Sequence, residues 1–281
     1  MPKPAAASLA ARAGSAVPHA GGLVDITHHE GGVAVVQLLR AESMNSFDPN
    51  VVRALRKVFH GLMEDPQVRA MVLTGSGKAF SAGADVRAFE RALAEGTSVQ
   101  WVLDATGELH PLLFDLHGSD KPLVAAVNGV AAGGGLGLAL VAEYRVGSPS
   151  ARLAAGYFGL GLSPDGGSTW LLPRLVGEQR AKRFFFTNEV MDAQEALRCG
   201  ALDEVVPEDR LLARAVEVAR TFGAWARHSR EATKRLLEAQ SATGFAQQLD
   251  LERGLIAAAA GTRDFREGVQ AFLAKRKPVF Q

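Results

Sequence analysis

Two short loops, Ser81-Ala82-Gly83-Ala84-Asp85 and Gly133-Gly134-Gly135, are the most informative segments of this chain. Each loop comes after an apolar, strand-like run (72–74 and 123–127) and opens a predicted helix. Small residues at such junctions let backbone N–H groups approach a ligand closely. Donors fixed at two helix N-termini can stabilise negative charge on one oxygen, and losing one of them costs about 3–4 kcal/mol of transition-state stabilisation. The loops therefore predict a site in which two backbone amides serve one oxygen.

The composition predicts a globular protein that acts on small molecules. The 281 residues, 47% hydrophobic and 22% charged, can bury one or two domain cores. The net charge of +1 gives no field that would attract nucleic acid or a membrane surface, so we expect neither as a partner. The single cysteine, Cys199, excludes an internal disulfide and a cysteine-rich metal site, and it fits a cytoplasmic protein without a bound metal. No apolar run reaches the roughly 18 residues that span a bilayer.

The hydrophobic pattern alternates short strand-like runs with helical periodicity, which predicts an α/β fold. Asp48 as N-cap and Pro49 at the first helical position mark the start of a helix over 48–64. Further strands are predicted at 33–39, 70–74, 122–127, 144–147 and 202–206, and further helices at 101–116 and 180–185. Beyond 209 the strand signals stop, and helices are predicted at 211–224, 229–239, 244–260 and 265–273.

This pattern divides the chain into three parts. Residues 1–22 are rich in alanine and have no acidic residue; we expect a disordered tail, with a targeting segment as the alternative. Residues 23–208 are predicted to form the α/β core with the active site. Residues 209–281 are predicted to form a helical domain whose apolar residues suit a subunit interface.

Five motifs in order resemble the crotonase superfamily, the enoyl-CoA hydratase and isomerase group, from residue 23 to 281. They are Met44-Asn45-Ser46-Phe47 with Arg40 before it, Gly77 to Asp85, Asn128-Gly129 through Gly135, Ser163-Pro164-Asp165-Gly166-Gly167, and Phe265-Arg266-Glu267-Gly268 with Lys275-Arg276-Lys277-Pro278. The resemblance implies a spiral of repeated ββα units and a C-terminal helical trimerisation domain in a homotrimer or a dimer of trimers. It also implies an acyl-CoA thioester substrate, whose coenzyme A is part of the substrate, so no separate cofactor is expected.

The resemblance assigns the backbone N–H groups of Ala84 and Gly134 to an oxyanion hole for the thioester carbonyl. It also implies a set of residues that bind the CoA portion: Arg40, Met44, Ala82, Asp85 and Val86, with Phe272 and Lys275 from a neighbouring subunit. For Lys275 and the basic residues after it, a solvated basic tail is an equal alternative.

The chain departs from a true hydratase at the two positions where the family carries glutamates, which are Gly137 and Tyr157 here. Hydration needs a water held between two carboxylate groups that act as base and acid. The resemblance therefore favours an isomerase, with hydratase as the alternative and a non-catalytic acyl-CoA binder as a third possibility.

Asp165 is the carboxylate that remains near this site. Its surroundings, Ser163 to Pro173, resemble the enoyl-CoA isomerases and the ring-epoxide and oxepin acyl-CoA isomerases. One carboxylate suffices for a 1,3-proton shift, because it can take the proton α to the thioester and return it at the γ carbon. Two alternatives are open for Asp165: an N-cap on the helix that follows it, and a nucleophile as in aromatic acyl-CoA dehalogenases.

Overall fold

A computed structural model describes residues 17–19 and 22–281 of the chain. Its strands are β1 Val17–His19, β2 Val24–His29, β3 Val33–Leu38, β4 Ala70–Gly75, β5 Ala79–Ser81, β6 Leu123–Val127, β7 Val130–Ala132, β8 Tyr144–Gly147, β9 Arg152–Ala154, β10 Val190–Asp192 and β11 Glu204–Val205. Its helices are α1 Pro49–Glu64, α2 Val86–Ala94, α3 Ser98–Gly118, α4 Gly134–Leu140, α5 Ser168–Val176, α6 Glu178–Phe186, α7 Ala193–Cys199, α8 Leu211–Gly223, α9 Arg227–Ala239, α10 Phe245–Ala260 and α11 Arg263–Leu273. The α/β class predicted from the sequence is confirmed.

The strands form two sheets. The larger has the order β1-β2-β3-β4-β6-β8-β11, antiparallel from β1 to β3 and parallel from β3 onward. The smaller has the order β10-β9-β7-β5, in which β9, β7 and β5 are parallel. All residues of β4 and β6 are buried, as expected for parallel strands that are covered on both faces.

Three successive ββα units build this arrangement. The strand pairs β4/β5, β6/β7 and β8/β9 each give the first strand to the larger sheet and the second to the smaller one, and a helix follows each pair. The carboxyl ends of β5, β7 and β9 therefore lie side by side at one edge of the smaller sheet. This is the spiral of repeated ββα units that the resemblance implied.

Helix α1 illustrates how local sequence signals set an element. The Asp48 carboxylate accepts hydrogen bonds from the N–H groups of Asn50 and Val51, both at 2.9 Å, and Pro49 occupies the first turn, as predicted. The buried face of the helix, which joins the main core, consists of Val51, Val52, Leu55, Phe59 and Leu62. The expected helix start and apolar stripe are both confirmed.

The helices after residue 209 also follow the predicted pattern. Helix α8 packs on β3, β4, β6 and β8, and its Ala215 and Ala219 join the core on that face of the larger sheet. Helix α9 is tied to the core by Arg230, which donates to the carbonyls of Arg69 and Asp120. The first helix of the 209–281 segment is thus part of the core packing, and the proposed division into domains stays a prediction.

The N-terminal segment is described only in part. Val17–His19 pair with Val24–Ile26 as an antiparallel strand, which differs from the disorder expected for those three residues. Gly22 is exposed, and the rest of the predicted tail lies outside the described residues. Within the described part of the chain, no helix is both long and apolar enough to cross a bilayer.

Candidate active site

The two glycine-containing loops meet because their strands are neighbours. Strand β5 ends before Ala82 and β7 ends before Gly133, so both loops leave the same edge of the smaller sheet. Gly83 has a φ of +81°, and a Cβ placed on it would lie 2.6 Å from the carbonyl oxygen of Ala132 and 3.1 Å from the nitrogen of Gly134. The two loops are therefore in direct contact at Gly83, where only glycine fits.

The amide of Ala84 is aimed by its neighbours. The Gly83 carbonyl accepts a hydrogen bond from the N–H of Phe47 at 2.7 Å, and the Asp85 N–H donates to the Phe47 carbonyl at 2.8 Å. A trans peptide points its C=O and N–H in opposite directions, so the Ala84 N–H points away from Phe47. Among the described residues it has no hydrogen-bond partner, and Ala84 lines a cavity.

The amide of Gly134 is held in a similar way. Gly134 is the first residue of α4, where backbone N–H groups have no partner within the helix. The carbonyl of Gly133 is turned into the helix and accepts from Leu136 and Gly137, so the Gly134 N–H points out of the helix start. Gly134 lines the same cavity as Ala84. The pair of amides predicted from the two loops thus borders one space.

Asp165 lines this cavity as well. It lies in the loop that leads from β9, the third neighbouring parallel strand, to α5. Its backbone carbonyl, not its carboxylate, accepts from the N–H and hydroxyl of Ser168, at 3.2 and 2.8 Å. The N-cap of α5 is Gly167, with a φ of +70° and no side-chain cap. The capping alternative for Asp165 is therefore wrong, and its carboxylate is one-third exposed beside the cavity.

Gly137 lies under the loop that carries Asp165. A Cβ on Gly137 would be 2.1 Å from the carbonyl oxygen of Gly166. Gly166 itself has a φ of +59° and packs on the first turn of α4, where a Cβ on it would be 3.4 Å from the Cα of Gly134. No side chain fits at 137 while this loop keeps its position, so a glutamate there and the present placement of Asp165 exclude each other.

Tyr157, the other position where hydratases have a glutamate, is buried with its ring beside the cavity. Its hydroxyl donates to the Asp165 carbonyl at 3.1 Å. Burial, together with the nearby Asp165 carboxylate, raises the pKa of the Tyr157 phenol above its usual range. Tyr157 therefore stays neutral and is not a base at physiological pH.

The cavity itself is mostly apolar, with a volume of about 280 Å³. Its aromatic walls come from Phe47, Phe89 and Trp101. Helix α3 adds Val102, Ala105, Thr106 and Leu109, at the spacing of one helix face. Asp165 and Tyr157 are the only ionisable side chains that line it within the described chain. Since Tyr157 stays neutral, Asp165 is the one ionisable side chain of this lining that can act as a base.

The residues predicted to bind the CoA portion fall into two groups. Ala82, Asp85 and Val86 continue from the Ala84 loop, and the carbonyl of Met44 accepts from the Ala82 N–H at 2.9 Å. Arg40 donates to the Asp85 carboxylate at 3.2 Å and to the Ser46 carbonyl at 2.8 Å. Burial alone would raise the pKa of Asp85, but hydrogen bonds from the Ala88 amide and from Arg40 outweigh it and lower that pKa. Arg40 therefore supports the loop, and its contact with a phosphate stays a prediction.

Phe272 and Lys275 form the second group and do not line the cavity of their own chain. Phe272 is 83% exposed near the end of α11, and Lys275 follows in a left-handed backbone conformation with a φ of +52°. Their role in the site of a neighbouring subunit stays a prediction.

Two features of the site lie outside the set of site residues predicted from the sequence. The first is the face of helix α3 that closes the cavity. The spacing of Val102, Ala105, Thr106 and Leu109 is a sequence signal from which this face could have been found. The second feature is His110, whose Nε2 atom lies 4.0 Å from Oδ2 of Asp165. Its position in an ordinary helical pattern gave no signal. No group of three or more His, Cys, Asp or Glu side chains that could hold a metal occurs within the described residues.

Comparison with known proteins places these features in a family. The family model for enoyl-CoA hydratase/isomerase matches residues 28–281. The 1,2-epoxyphenylacetyl-CoA isomerase of Escherichia coli is 34% identical over 256 residues, covering 91% of this chain and 97% of the relative. Crotonyl-CoA hydratase of Syntrophomonas wolfei is 34% identical over 261 residues, covering 91% and 96%. The crystal structure of enoyl-CoA hydratase from Bacillus anthracis superposes with a TM-score of 0.86 at 29% identity, covering 92% and 98%.

Proposed function

The chain belongs to the enoyl-CoA hydratase/isomerase family of the crotonase superfamily, and within it we propose that the protein is an acyl-CoA isomerase. The relatives' names include hydratases and isomerases, so the choice rests on the site. One observation carries it: among the described residues, Asp165 is the single carboxylate on the cavity that Ala84 and Gly134 also line. Hydration would need a second carboxylate, and Gly137 and Tyr157 supply none.

The proposed reaction moves a double bond by a 1,3-proton shift. The Ala84 and Gly134 N–H groups donate hydrogen bonds to the thioester carbonyl oxygen and stabilise the negative charge that develops on it. The Asp165 carboxylate removes a proton from the carbon α to the thioester, which leaves an enolate. The same carboxyl group returns a proton at the γ carbon, and the electron pair moves back from the oxygen.

The shape and lining of the cavity support an apolar acyl group, either an enoyl chain or a group derived from an aromatic ring. Phe47, Phe89 and Trp101 provide flat apolar surfaces, and the ring centroids of Phe89 and Trp101 are 4.3 Å apart. A second apolar cavity of about 560 Å³ shares Val86, Phe89, Val102, Leu160 and Leu162 with the first. The shared wall gives a longer acyl chain room to continue.

We also propose that the protein acts as a homotrimer or a dimer of trimers. Helix α10 has no buried residue in the single chain, and Phe245 and Ile256 are 79% and 73% exposed. A partner subunit would cover such residues. It would also bring its Phe272 and Lys275 towards the CoA portion of the neighbouring site.

The experiment that tests the isomerase proposal compares two reactions of the purified protein. A 3-enoyl-CoA is supplied for isomerisation and a 2-enoyl-CoA for hydration, and both products are separated by chromatography. We expect isomerisation to dominate and to fall about 10²–10⁴-fold in Asp165→Asn, because general-base catalysis is lost.

Asp192→Asn is the matched control, because Asp192 caps α7 away from the cavity and asparagine can cap as well. Hydration as the main reaction, or full isomerisation by Asp165→Asn, would contradict the proposal. Binding of acyl-CoA with neither reaction would favour the non-catalytic alternative.

A further inference from the structure

His110 and Asp165 stand at the boundary between two spaces. Asp165 lines the cavity that contains the amides of Ala84 and Gly134. His110 lines a neighbouring pocket of about 440 Å³ and not that cavity. Nε2 of His110 and Oδ2 of Asp165 are 4.0 Å apart, and the two side chains are 53% and 33% exposed. The pair thus lies between the proposed reaction site and the neighbouring pocket, through which it has contact with solvent.

The position of His110 is fixed by its helix. The preceding residue, Leu109, is buried and packs against the first turn of α4, where its Cδ2 would be 2.9 Å from a Cβ on Gly134. The next residue, Pro111, lies within α3. His117 and Glu238 line the same neighbouring pocket, but these two pair with each other at 3.8 Å. Of the acidic groups on the described elements, only Asp165 lies within 4 Å of the His110 ring.

We propose that His110 is a proton relay between Asp165 and solvent, an inference that rests on the isomerase function proposed above. When Asp165 holds the proton taken from the substrate, the proton passes from Oδ2 to Nε2 of a neutral His110, directly after a small rotation or through one water. The imidazolium then releases a proton from Nδ1 to solvent. The reverse sequence returns a solvent proton to Asp165, so no net charge or proton is gained in the cycle.

The relay makes a prediction about the origin of the proton in the product. An acyl group in the cavity covers that side of Asp165, while the His110 side stays in contact with solvent. The proton delivered to the γ carbon then comes from solvent rather than from the α carbon. His110 acts through Asp165 and not on the substrate, so it is a positioning residue. The deuterium content of the product reports on its role, whereas the rate of isomerisation alone would not.

The test uses the full-length protein, a 3-enoyl-CoA and deuterated water. The deuterium content at the γ carbon is measured by mass spectrometry and NMR early in the reaction, before repeated turnover mixes the label. We expect the wild type to insert deuterium, and His110→Gln to keep isomerising with about a fivefold lower deuterium content per turnover. His117→Gln is the matched control, on the same helix and beside a different carboxylate, and should match the wild type.

The outcomes separate this inference from the proposed function. Isomerisation by His110→Gln with the same deuterium content as the wild type would overturn the relay and leave the isomerase function standing. A wild-type protein that neither isomerises nor exchanges would overturn the proposed function, and the relay with it. An equal loss of label in His117→Gln would also overturn the specific role of His110.

Discussion

The phenolic hydroxyl of Tyr157 donates a hydrogen bond to the backbone carbonyl of Asp165, with 3.1 Å between the two oxygens. Ser168 donates to the same carbonyl from its hydroxyl and its N–H. These contacts fix the backbone of Asp165 and leave its carboxylate beside the cavity. A tyrosine thus stands at the position where the resemblance to hydratases implies a glutamate, and we expect its hydroxyl to help hold the Asp165 carboxylate in place.

Tyr157→Phe tests this role. The change removes only the hydroxyl, so the loss of one hydrogen bond, worth about 0.5–1.5 kcal/mol, should lower the kcat of isomerisation by about 2- to 10-fold with little change in KM. Tyr144→Phe is the control, since the Tyr144 ring packs on Phe222 away from the cavity. Equal kcat values for the two variants would show that the Tyr157 hydroxyl does not position Asp165.

Gly137→Ala tests whether the loop and a side chain at 137 exclude each other. The new Cβ would lie 2.1 Å from the Gly166 carbonyl oxygen, so the loop must move and carry Asp165 with it. We expect a loss of about 1–3 kcal/mol in the free energy of unfolding and a large loss of isomerisation. Denaturant titration and steady-state kinetics measure the two effects.

Gly61→Ala provides the reference for this substitution, because Gly61 lies in α1 with open space around it. Alanine there should stabilise the protein by about 0.5–1 kcal/mol. A Gly137→Ala variant as stable and active as Gly61→Ala would contradict the steric argument.

Gly134→Pro tests the backbone donor. Proline lacks an N–H but is tolerated at the first position of a helix, so the variant should fold and bind acyl-CoA while kcat falls about 10²–10³-fold. Gly134→Ala introduces a Cβ at the same point, near Leu109, and keeps the N–H. Comparing the kcat of the two variants isolates the donor, and equal values would argue against an oxyanion hole at Gly134.

The C-terminal segment should respond to acid through Glu267. Hydrogen bonds from the Arg276 guanidinium and from the Val279 N–H lower the pKa of Glu267 to about 2, from an ordinary value of 4.5. Because folding lowers the pKa of Glu267, the hydrogen bonds to its carboxylate contribute their full stabilisation above pH 4.5. This stabilisation is lost as the pH falls through about 2. The hydrogen-exchange protection of the Val279 amide should therefore fall over this range.

Glu267→Gln removes the charge at every pH, so its Val279 amide should already be poorly protected at neutral pH. Strong protection of that amide in the wild type at a pH below 2 would contradict the assigned contact.

Replacing an exposed apolar residue of α10 tests the proposed assembly. Ile256→Glu places a charge on a helix that has no buried residue in the single chain, so it should lower the mass measured by light scattering if α10 contacts another subunit. The circular dichroism spectrum should stay unchanged, because Ile256 is 73% exposed. An unchanged mass would indicate that this part of α10 faces solvent in the assembly.

Local signals made much of the fold predictable. Asp48 and Pro49 set the start of α1, and apolar runs gave the buried strands. The strand predicted at 202–206 is shorter, Glu204–Val205, because the Leu202 N–H donates to the Ala196 carbonyl of α7 and its side chain packs on Gly147. A buried leucine next to a strand has the same sequence pattern as a leucine within the strand.

The candidate site was predictable where it depends on the backbone of the two loops, and not where it depends on distant side chains. The loops at Gly83 and Gly134 were recognisable from their small residues, whereas β5 and β7, the short strands that directly precede them, were not predicted. The exclusion between Gly137 and Gly166 depends on how a loop about thirty residues away crosses α4, which no local pattern encodes. The capping alternative for Asp165 failed because Gly166 and Gly167 both adopt positive φ and place two further residues between Asp165 and the start of α5.

The carboxyl ends of β5, β7 and β9 lie side by side, so each of the three repeats contributes a different group to the proposed site. In the proposed mechanism, one repeat supplies the first amide, the next supplies the second amide, and the third supplies the carboxylate. Chemistry in such a scaffold can diverge by rebuilding a single segment, since the charge-stabilising half of the machinery is encoded elsewhere in the chain. A designer who wished to install a new reaction here would alter only the third repeat and leave the other two untouched.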